Sequence, residues 1–255
     1  DAVVHLAAIG SVPRSVAEPL PSHDTNTTGT VNVLEAARAA RPGGAYTVVA
    51  GSSSVYGANP VLPKHEDLAP RPLSPYAASK AAADHLARAW HLTYGLPVIV
   101  TNCSNNFGPF QFPEKLIPLV IAKALAGAPL PVYGRGENVR DWLYVEDHVR
   151  ALRLVFEQGA PGETYCIGGN CERRNIDVVR EICALLDALA PDPLGPRERL
   201  ISYVTDRPGH DLRYAIDPSH LQRTLGWEPR ESFGSGLRKT VEWYLNNREW
   251  SERIA

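Results

Sequence analysis

Short apolar runs and longer stretches of helical periodicity succeed one another along this chain. Val3-Val4-His5-Leu6-Ala7-Ala8 and Ala45-Tyr46-Thr47-Val48-Val49-Ala50 are apolar enough to be buried strands, and Asn26 to Ala40 between them reads as an amphipathic helix. Strand, helix, strand in that order predicts a parallel sheet, because parallel neighbours need a crossover between them. Val98 to Cys103 reads as a further strand of that sheet. After Gly108-Pro109 the text turns Pro-rich and irregular from Phe110 to Pro113, followed by a helix from Glu114 to Leu125 and a strand-like Leu130-Pro131-Val132-Tyr133-Gly134. Asp141 to Glu157 reads as a strand and helix that rejoin the first sheet. Asn175 to Leu189 is amphipathic, with Ile176, Val179, Ile182 and Leu186 on one side, and Ser232 to Arg248 forms a closing helix beyond the Pro-rich loop at Ala190 to Arg199. No internal repeat or low-complexity tract interrupts this order, so the expected class is α/β.

One crevice collects the chemistry. In open parallel sheets ligands bind at the carboxyl ends of the strands, which brings together Ala7-Ala8, the hydroxyl cluster Ser52-Ser53-Ser54 and the helix opening at Tyr76. That helix carries Tyr76-Ala77-Ala78-Ser79-Lys80, which places phenol and ammonium four residues apart on one face. A free tyrosine titrates near pH 10, and acid–base work near neutrality needs that lowered by roughly 2–3 units, for which a neighbouring cation is the obvious means. The spacing alone is weak, since Tyr-x-x-x-Lys also occurs on ordinary exposed helices; the surrounding strand pattern gives it weight.

Composition acts mainly by exclusion. The 255 residues suffice for a sizeable core, and a formal net charge of −2 gives no electrostatic case for nucleic acid or an anionic membrane. The longest apolar stretches, such as Leu116 to Leu125, are far short of a membrane span, and no signal-peptide pattern opens the chain, so a cytoplasmic location is expected. Cys103, Cys166, Cys171 and Cys183 show neither metal-ligand spacing nor a C-x-x-C pair, and are read as reduced thiols; no metal is expected. His5 and His148 are read as structural or solvated.

With these residues in view the chain resembles the extended short-chain dehydrogenase/reductase superfamily, within it the NAD-dependent nucleotide-sugar epimerases and dehydratases. From Ser74 onward it is most similar to the dTDP-glucose 4,6-dehydratase branch. Five segments carry the likeness: Ser74-Pro75-Tyr76-Ala77-Ala78-Ser79-Lys80, Cys103-Ser104-Asn105-Asn106-Phe107-Gly108-Pro109, Phe112-Pro113-Glu114-Lys115-Leu116-Ile117-Pro118, Asn138-Val139-Arg140-Asp141-Trp142-Leu143-Tyr144-Val145 and Asp206-Arg207-Pro208-Gly209-His210-Asp211. The resemblance implies an NAD-binding Rossmann-type sheet over 1–109, rejoined by 141–170, and a smaller substrate domain from 110–140 and 171–255. It implies Tyr76, Lys80 and Ser52 as the catalytic set, with Ala7, Ala8 and Asn26 joining them on NAD. Toward a nucleotide sugar it implies Ser53 and Ser54, Asn105 near the diphosphate, Lys115 and Leu116 along the nucleotide pocket, Tyr133 at the base, and Arg140, Arg207 and His210 on the phosphates. A guanidinium such as Arg140 grips phosphate oxygens bidentately; the alternative for it is an ion pair with Asp141 or Glu137. The family is often dimeric, and the helix beginning at Tyr76, with Ala81, Ala82, Ala83 and Ala87, is the candidate homodimer face.

Two departures shift the expected outcome. Dehydratases carry Thr-Asp-Glu where this chain has Ser52, Ser53 and Ser54, and the early loop Ile9-Gly10-Ser11-Val12-Pro13-Arg14-Ser15 also departs toward the 4-epimerases. A serine hydroxyl replaces neither the acid nor the base that expels water across C5 and C6. The favoured expectation is therefore C4 oxidation and reduction of a dTDP-hexose with 4-epimerisation. Dehydration of dTDP-glucose is the alternative, with Glu66 or Asp67 as substitute carboxylates, and an inactive NAD-binding relative is the third reading. The family's glycine-rich phosphate turn is missing and the chain contains no Met, which reads as a fragment beginning inside the fourth strand of the dinucleotide-binding half.

Overall fold

The first sheet is built by continuous apolar runs buried on both faces, as parallel strands require. In the computed structural model, which describes residues 2–206 and 210–254, β1 (Ala2–His5), β2 (Tyr46–Ala50), β3 (Val98–Cys103) and β7 (Thr164–Ile167) lie side by side in that order, all parallel. Between β1 and β2 run α1 (Val12–Ala17), α2 (Pro19–His23), a π-helical turn at Asp24–Thr28 and α3 (Gly29–Ala39); α4 (Pro75–Tyr94) links β2 to β3. One face packs Leu34, Ala37, Val49, Ala87 and Val100. The other packs Val48, Ile99 and Ile167 against Ala151 and Val155 of α6 (Val145–Gln158), and against Leu221 of α8 (Ser219–Leu225). This is the expected α/β, Rossmann-type parallel sheet.

A second core gathers in the remainder of the chain. Its elements are β4 (Asn105–Phe107), α5 (Leu116–Leu125), β5 (Leu130–Tyr133), β6 (Val139–Tyr144), β8 (Glu172–Arg174), α7 (Asn175–Leu189), β9 (Ile201–Val204), α9 (Phe233–Asn246) and α10 (Arg248–Ile254). Phe107, Ile121, Leu130, Trp142, Ile182 and Leu237 meet inside it. β6 departs from the expectation that Asp141 would open a strand of the first sheet: it pairs with β4 and β8 in a sheet of three, and only α6 and β7 return to the first. A contact distant in sequence accompanies this pairing. The Asp141 carboxylate accepts the Gly169 and Cys171 amides at 3.0 and 2.7 Å, which ties β6 to the loop leaving β7. That loop needs glycine, since a Cβ on Gly169 would lie 2.0 Å from the Trp142 carbonyl oxygen.

α4 has clear sequence reasons to begin and end where it does. The Ser74 hydroxyl caps it by accepting the Ala77 amide at 3.2 Å, Pro75 fits the first turn, and Gly95 closes it with a left-handed φ of 67°. Its first turn is held from across the crevice as well, because the Tyr76 amide donates to the buried Ser15 hydroxyl at 3.1 Å. The described residues contain no helix long and apolar enough to cross a membrane.

Candidate functional site

The crevice assembles where the sheet rule places it, at the carboxyl ends of β1, β2 and β3. Leaving β2, the chain passes Gly51, whose hypothetical Cβ would meet the Asn102 Oδ1 at 2.1 Å, Asp84 Oδ1 at 2.8 Å and the Thr101 carbonyl oxygen at 2.8 Å. Only a glycine lets the strand end pack that tightly against β3 and α4. Ser52 follows: its amide donates to Asn102 Oδ1 at 3.0 Å, and its hydroxyl shares a hydrogen bond with Ser54 at 2.9 Å. Ser53 and Ser54 are buried in the tight helical turn that Ser52 caps.

Tyr76, Ser52 and Lys80 come together as expected, but their electrostatics differ from the expectation. Burial pushes the Tyr76 hydroxyl up to about 12, while its hydrogen bond with Ser52 works the other way. Lys80 does not bring the phenol down. Its ammonium turns to the Ala50 carbonyl at 2.5 Å, and burial lowers its own pKa. The spacing rule places both side chains on one face and is silent on which acceptor the longer one reaches.

Asn26, expected on the cofactor, faces inward instead. Its carbonyl accepts the Ile9 amide at 2.7 Å while its NH2 donates to the Ile9 carbonyl at 3.1 Å and to Ser79 Oγ at 3.0 Å, so both hydrogens are engaged in pinning the 7–11 loop to α4. Ala7 and Ala8 lie on that loop with exposed, small side chains at the end of β1, which leaves room for a dinucleotide to approach the backbone beside Tyr76 and Lys80. These residues fit a bound NAD.

Two further groups, the Cys103–His148 pair and Asp84, join this site, and residue spacing selects neither for it. Burial works to raise the Cys103 thiol at the end of β3, but the His148 imidazole, the Asn106 amide and the Lys80 charge outweigh it and hold the thiol below its ordinary value. Cys103 is therefore more than a filler of the core, and His148 faces it from α6; neither spacing nor composition signals a contact across 45 residues. Asp84 is the second. It follows Lys80 by one helical turn, its Oδ1 is shut off from solvent without a hydrogen-bond partner among the described residues, and burial raises its pKa to about 7 against the pull of Lys80 and Asn102.

On the substrate side, Lys115 donates to the Gly10 carbonyl and is ion-paired with Glu114 at 3.2 Å, so it bridges the loop after β1 and the entry to α5. Leu116 starts that helix and Asn105 starts β4. Arg140 is buried; it donates to the Val139 and Asp211 carbonyls at 2.7 and 2.9 Å, and its guanidinium lies 4.6 Å from the Tyr214 ring centre. Asp141 and Glu137 are occupied elsewhere, the first by the Gly169 and Cys171 amides and the second by Arg135 at 3.7 Å. His210 hydrogen-bonds Asp206 at 2.6 Å and stands edge-on to exposed Tyr133 at 6.0 Å between ring centres. Arg207 lies outside the described residues. Glu66 accepts the Cys166 amide at 2.7 Å on β7, where Cys166 pairs with Asn102 at the end of β3, and the Asp67 side chain is 94% exposed.

Residues 1–240 match the family model described as GDP-mannose 4,6 dehydratase. The chain belongs to this family. It is 53% identical over 274 aligned residues to a dTDP-glucose 4,6-dehydratase of Escherichia coli, covering all of this chain and 76% of the relative. Against a solved dTDP-glucose 4,6-dehydratase of Streptomyces venezuelae with NAD bound, the TM-score is 0.92 at 44% identity, covering all of this chain and 76% of that one. A UDP-glucuronic acid 4-epimerase of Bacillus cereus with NAD gives a TM-score of 0.85 at 27% identity, covering 96% of this chain and 75% of that one. Family membership makes the protein an enzyme of the nucleotide-sugar epimerase and dehydratase class, in line with the sequence resemblance. The higher identities fall on the dehydratases, so the comparisons correct the preference for 4-epimerisation drawn from the three serines. The serines are a local change inside a chain that is otherwise dehydratase-like.

Proposed function

We propose that the protein is an NAD-dependent dTDP-glucose 4,6-dehydratase. The observation that carries this reading is identity of 53% to a dTDP-glucose 4,6-dehydratase across the whole chain, joined to a crevice in which the Tyr76 hydroxyl is hydrogen-bonded to Ser52 beside Lys80. NAD, when bound, supplies the hydride acceptor for oxidation at C4 of the sugar. Tyr76, once ionised to the phenolate, receives the C4 hydroxyl proton, Ser52 orients that oxygen, and Lys80 fixes the end of β2 on which Ser52 is carried. Arg140, with His210 beside Tyr133, holds the nucleotide diphosphate from the opposite side.

Elimination across C5 and C6 needs a carboxyl group that Ser53 and Ser54 do not offer. Glu114, whose ion-pair partner Lys115 reaches the loop at Gly10, joins Glu66 and Asp67 as a position to test. A second reading, 4-epimerisation, is favoured by one feature of the sequence: Ser53 and Ser54 occupy the positions at which the resemblance implies the Asp-Glu pair of a dehydratase. Incubation with NAD and dTDP-glucose, and separately with UDP-glucose, followed by NMR of the products, separates the two. The expected product is a 4-keto-6-deoxy sugar from the dTDP substrate. A C4-inverted hexose without loss of water overturns the dehydratase reading in favour of the epimerase.

A further inference from the structure

Behind the Tyr76–Lys80 pair stands a carboxylate that the reaction as described does not use. Asp84 lies on the same face of α4, one turn beyond Lys80, and its Oδ1 sits beside Gly51, where an added Cβ would come within 2.8 Å of it. That position is next to the backbone of Ser52 and the carbonyl of Ala50, the acceptor of the Lys80 ammonium. Asn102 closes the other side, with its Oδ1 accepting the Ser52 amide and its Nδ2 donating to the Tyr56 hydroxyl at 3.2 Å. Strand end, helix and β3 thus hold a single carboxylate between a cation and the serine turn; Asn102 hydrogen-bonds the carboxyl group, while its Oδ1 is shut off from solvent with no partner among the described residues. Structural carboxylates of this protein look different: Asp141 accepts two backbone amides and Asp147 accepts those of Arg230 and Glu231.

We propose that Asp84 is a positioning residue of this site, whose charge sets the charge state of the Tyr76–Lys80 pair and holds the Lys80 ammonium against the end of β2. The proposal rests on the reading of Tyr76 as the base that oxidises C4. Every titratable group around Asp84 fits the assignment. From its own helix, Lys80 is kept charged by an ionised Asp84, whereas Tyr76 is made harder to ionise. The other groups that interact with it or with Lys80 are Tyr56 after β2, Cys166 on β7, Cys103 on β3 with His148 behind it, and His5 on β1. Burial raises Asp84 to about 7, so it changes charge near neutrality. A protonated Asp84 removes the carboxylate charge that opposes phenolate at Tyr76; an ionised one secures the Lys80 cation.

The experiment reads the titration of Asp84 itself. Protein labelled with aspartate carrying 13C at the carboxyl carbon is titrated by NMR over roughly pH 5 to 9, a window above the ordinary aspartate range, with Asp84→Asn assigning the resonance. We expect a midpoint near neutrality that rises by about one unit or more in Lys80→Met, the size of one charge acting across roughly 10 Å at an effective dielectric of 20. An ordinary aspartate midpoint, or one that Lys80→Met leaves in place, overturns the proposal, and the unmutated protein alone decides the first outcome if Lys80→Met does not fold. A companion measurement is the pH profile of turnover. Asp84→Asn, neutral at every pH, should move the acidic limb to lower pH because Tyr76 then ionises more readily; a profile reduced in height but unmoved counts against the proposal. Since the NMR titration needs no turnover, a protein that dehydrates no sugar sinks the proposed function while leaving this question answerable.

Discussion

Tyr76 and Lys80 show what residue spacing reveals and what it leaves out. Four-residue spacing on a capped helix puts both on one face, so the pair was legible in the sequence. Its electrostatics were not, because they depend on enclosure and on the Ala50 carbonyl, which claims the ammonium. Tyr76→Phe keeps the ring and removes only the proton acceptor, so kcat should fall by at least ~10²-fold with substrate affinity little changed, measured by steady-state kinetics alongside calorimetry; undiminished turnover removes Tyr76 from the chemistry. Asp84 allows a separate test through stability. Its folded pKa of about 7 lies above that of an unfolded aspartate, so between these values the native state binds a proton that the unfolded state does not. The contribution is fully present below the unfolded pKa and is lost as pH rises through about 7. Thermal unfolding of Asp84→Asn and its parent should therefore diverge with pH, the variant gaining on the parent as pH rises from about 5 to 8. A constant difference across that range would show that Asp84 is not protonated in the fold.

Among the elements, those that bury a continuous apolar run or a helical stripe were readable. β3 and α7 occupy the expected residues, because Val98 to Cys103 and the Ile176, Val179, Ile182 and Leu186 stripe each have one way to be buried. β8 was missed since Glu172–Arg174 is exposed throughout and carries no apolar signal, and β9 is a four-residue pairing with β5 inside a stretch that begins in a Pro-rich loop. The partner of β6 was out of reach for a different reason: strand pairing depends on contacts distant in sequence, here the Asp141 clasp on the Gly169 and Cys171 amides. The turn leaving β2 supplies the test at this scale. Gly51→Ala inserts a Cβ about where Asn102 Oδ1 and the Thr101 carbonyl already sit, and neither the backbone nor the short Asn side chain yields easily. A destabilisation of roughly 1–3 kcal/mol by chemical denaturation is expected, as for overpacking of a tight core, with turnover falling further because Ser52 is displaced. Unchanged stability would mean that the strand end is looser than its contacts require.

Across the whole molecule, the sheet rule alone places the crevice, since strand ends and the start of α4 converge wherever a parallel sheet is crossed by helices. It did not locate Cys103 with His148, or Asp84, because those contacts are set by the depth at which α6 and α4 pack on the sheet. Lys115 joins the two halves of the site through the Gly10 carbonyl, and within the substrate half Arg140 ties β6 to the Asp211 carbonyl. Arg140 is the more exacting of the two, because its planar fork serves two carbonyls while its face lies on Tyr214. If that geometry also grips the substrate phosphates, Arg140→Ala should weaken dTDP-sugar binding by roughly 2–4 kcal/mol while NAD affinity survives, as read by calorimetry on each ligand in turn. Arg140→Lys should recover little of the loss, since a point charge restores neither the fork nor the stacking. Equal loss toward both ligands would mean that the Asp211 segment had come away and disturbed the fold. Undiminished sugar affinity would confine Arg140 to tying β6 to that segment.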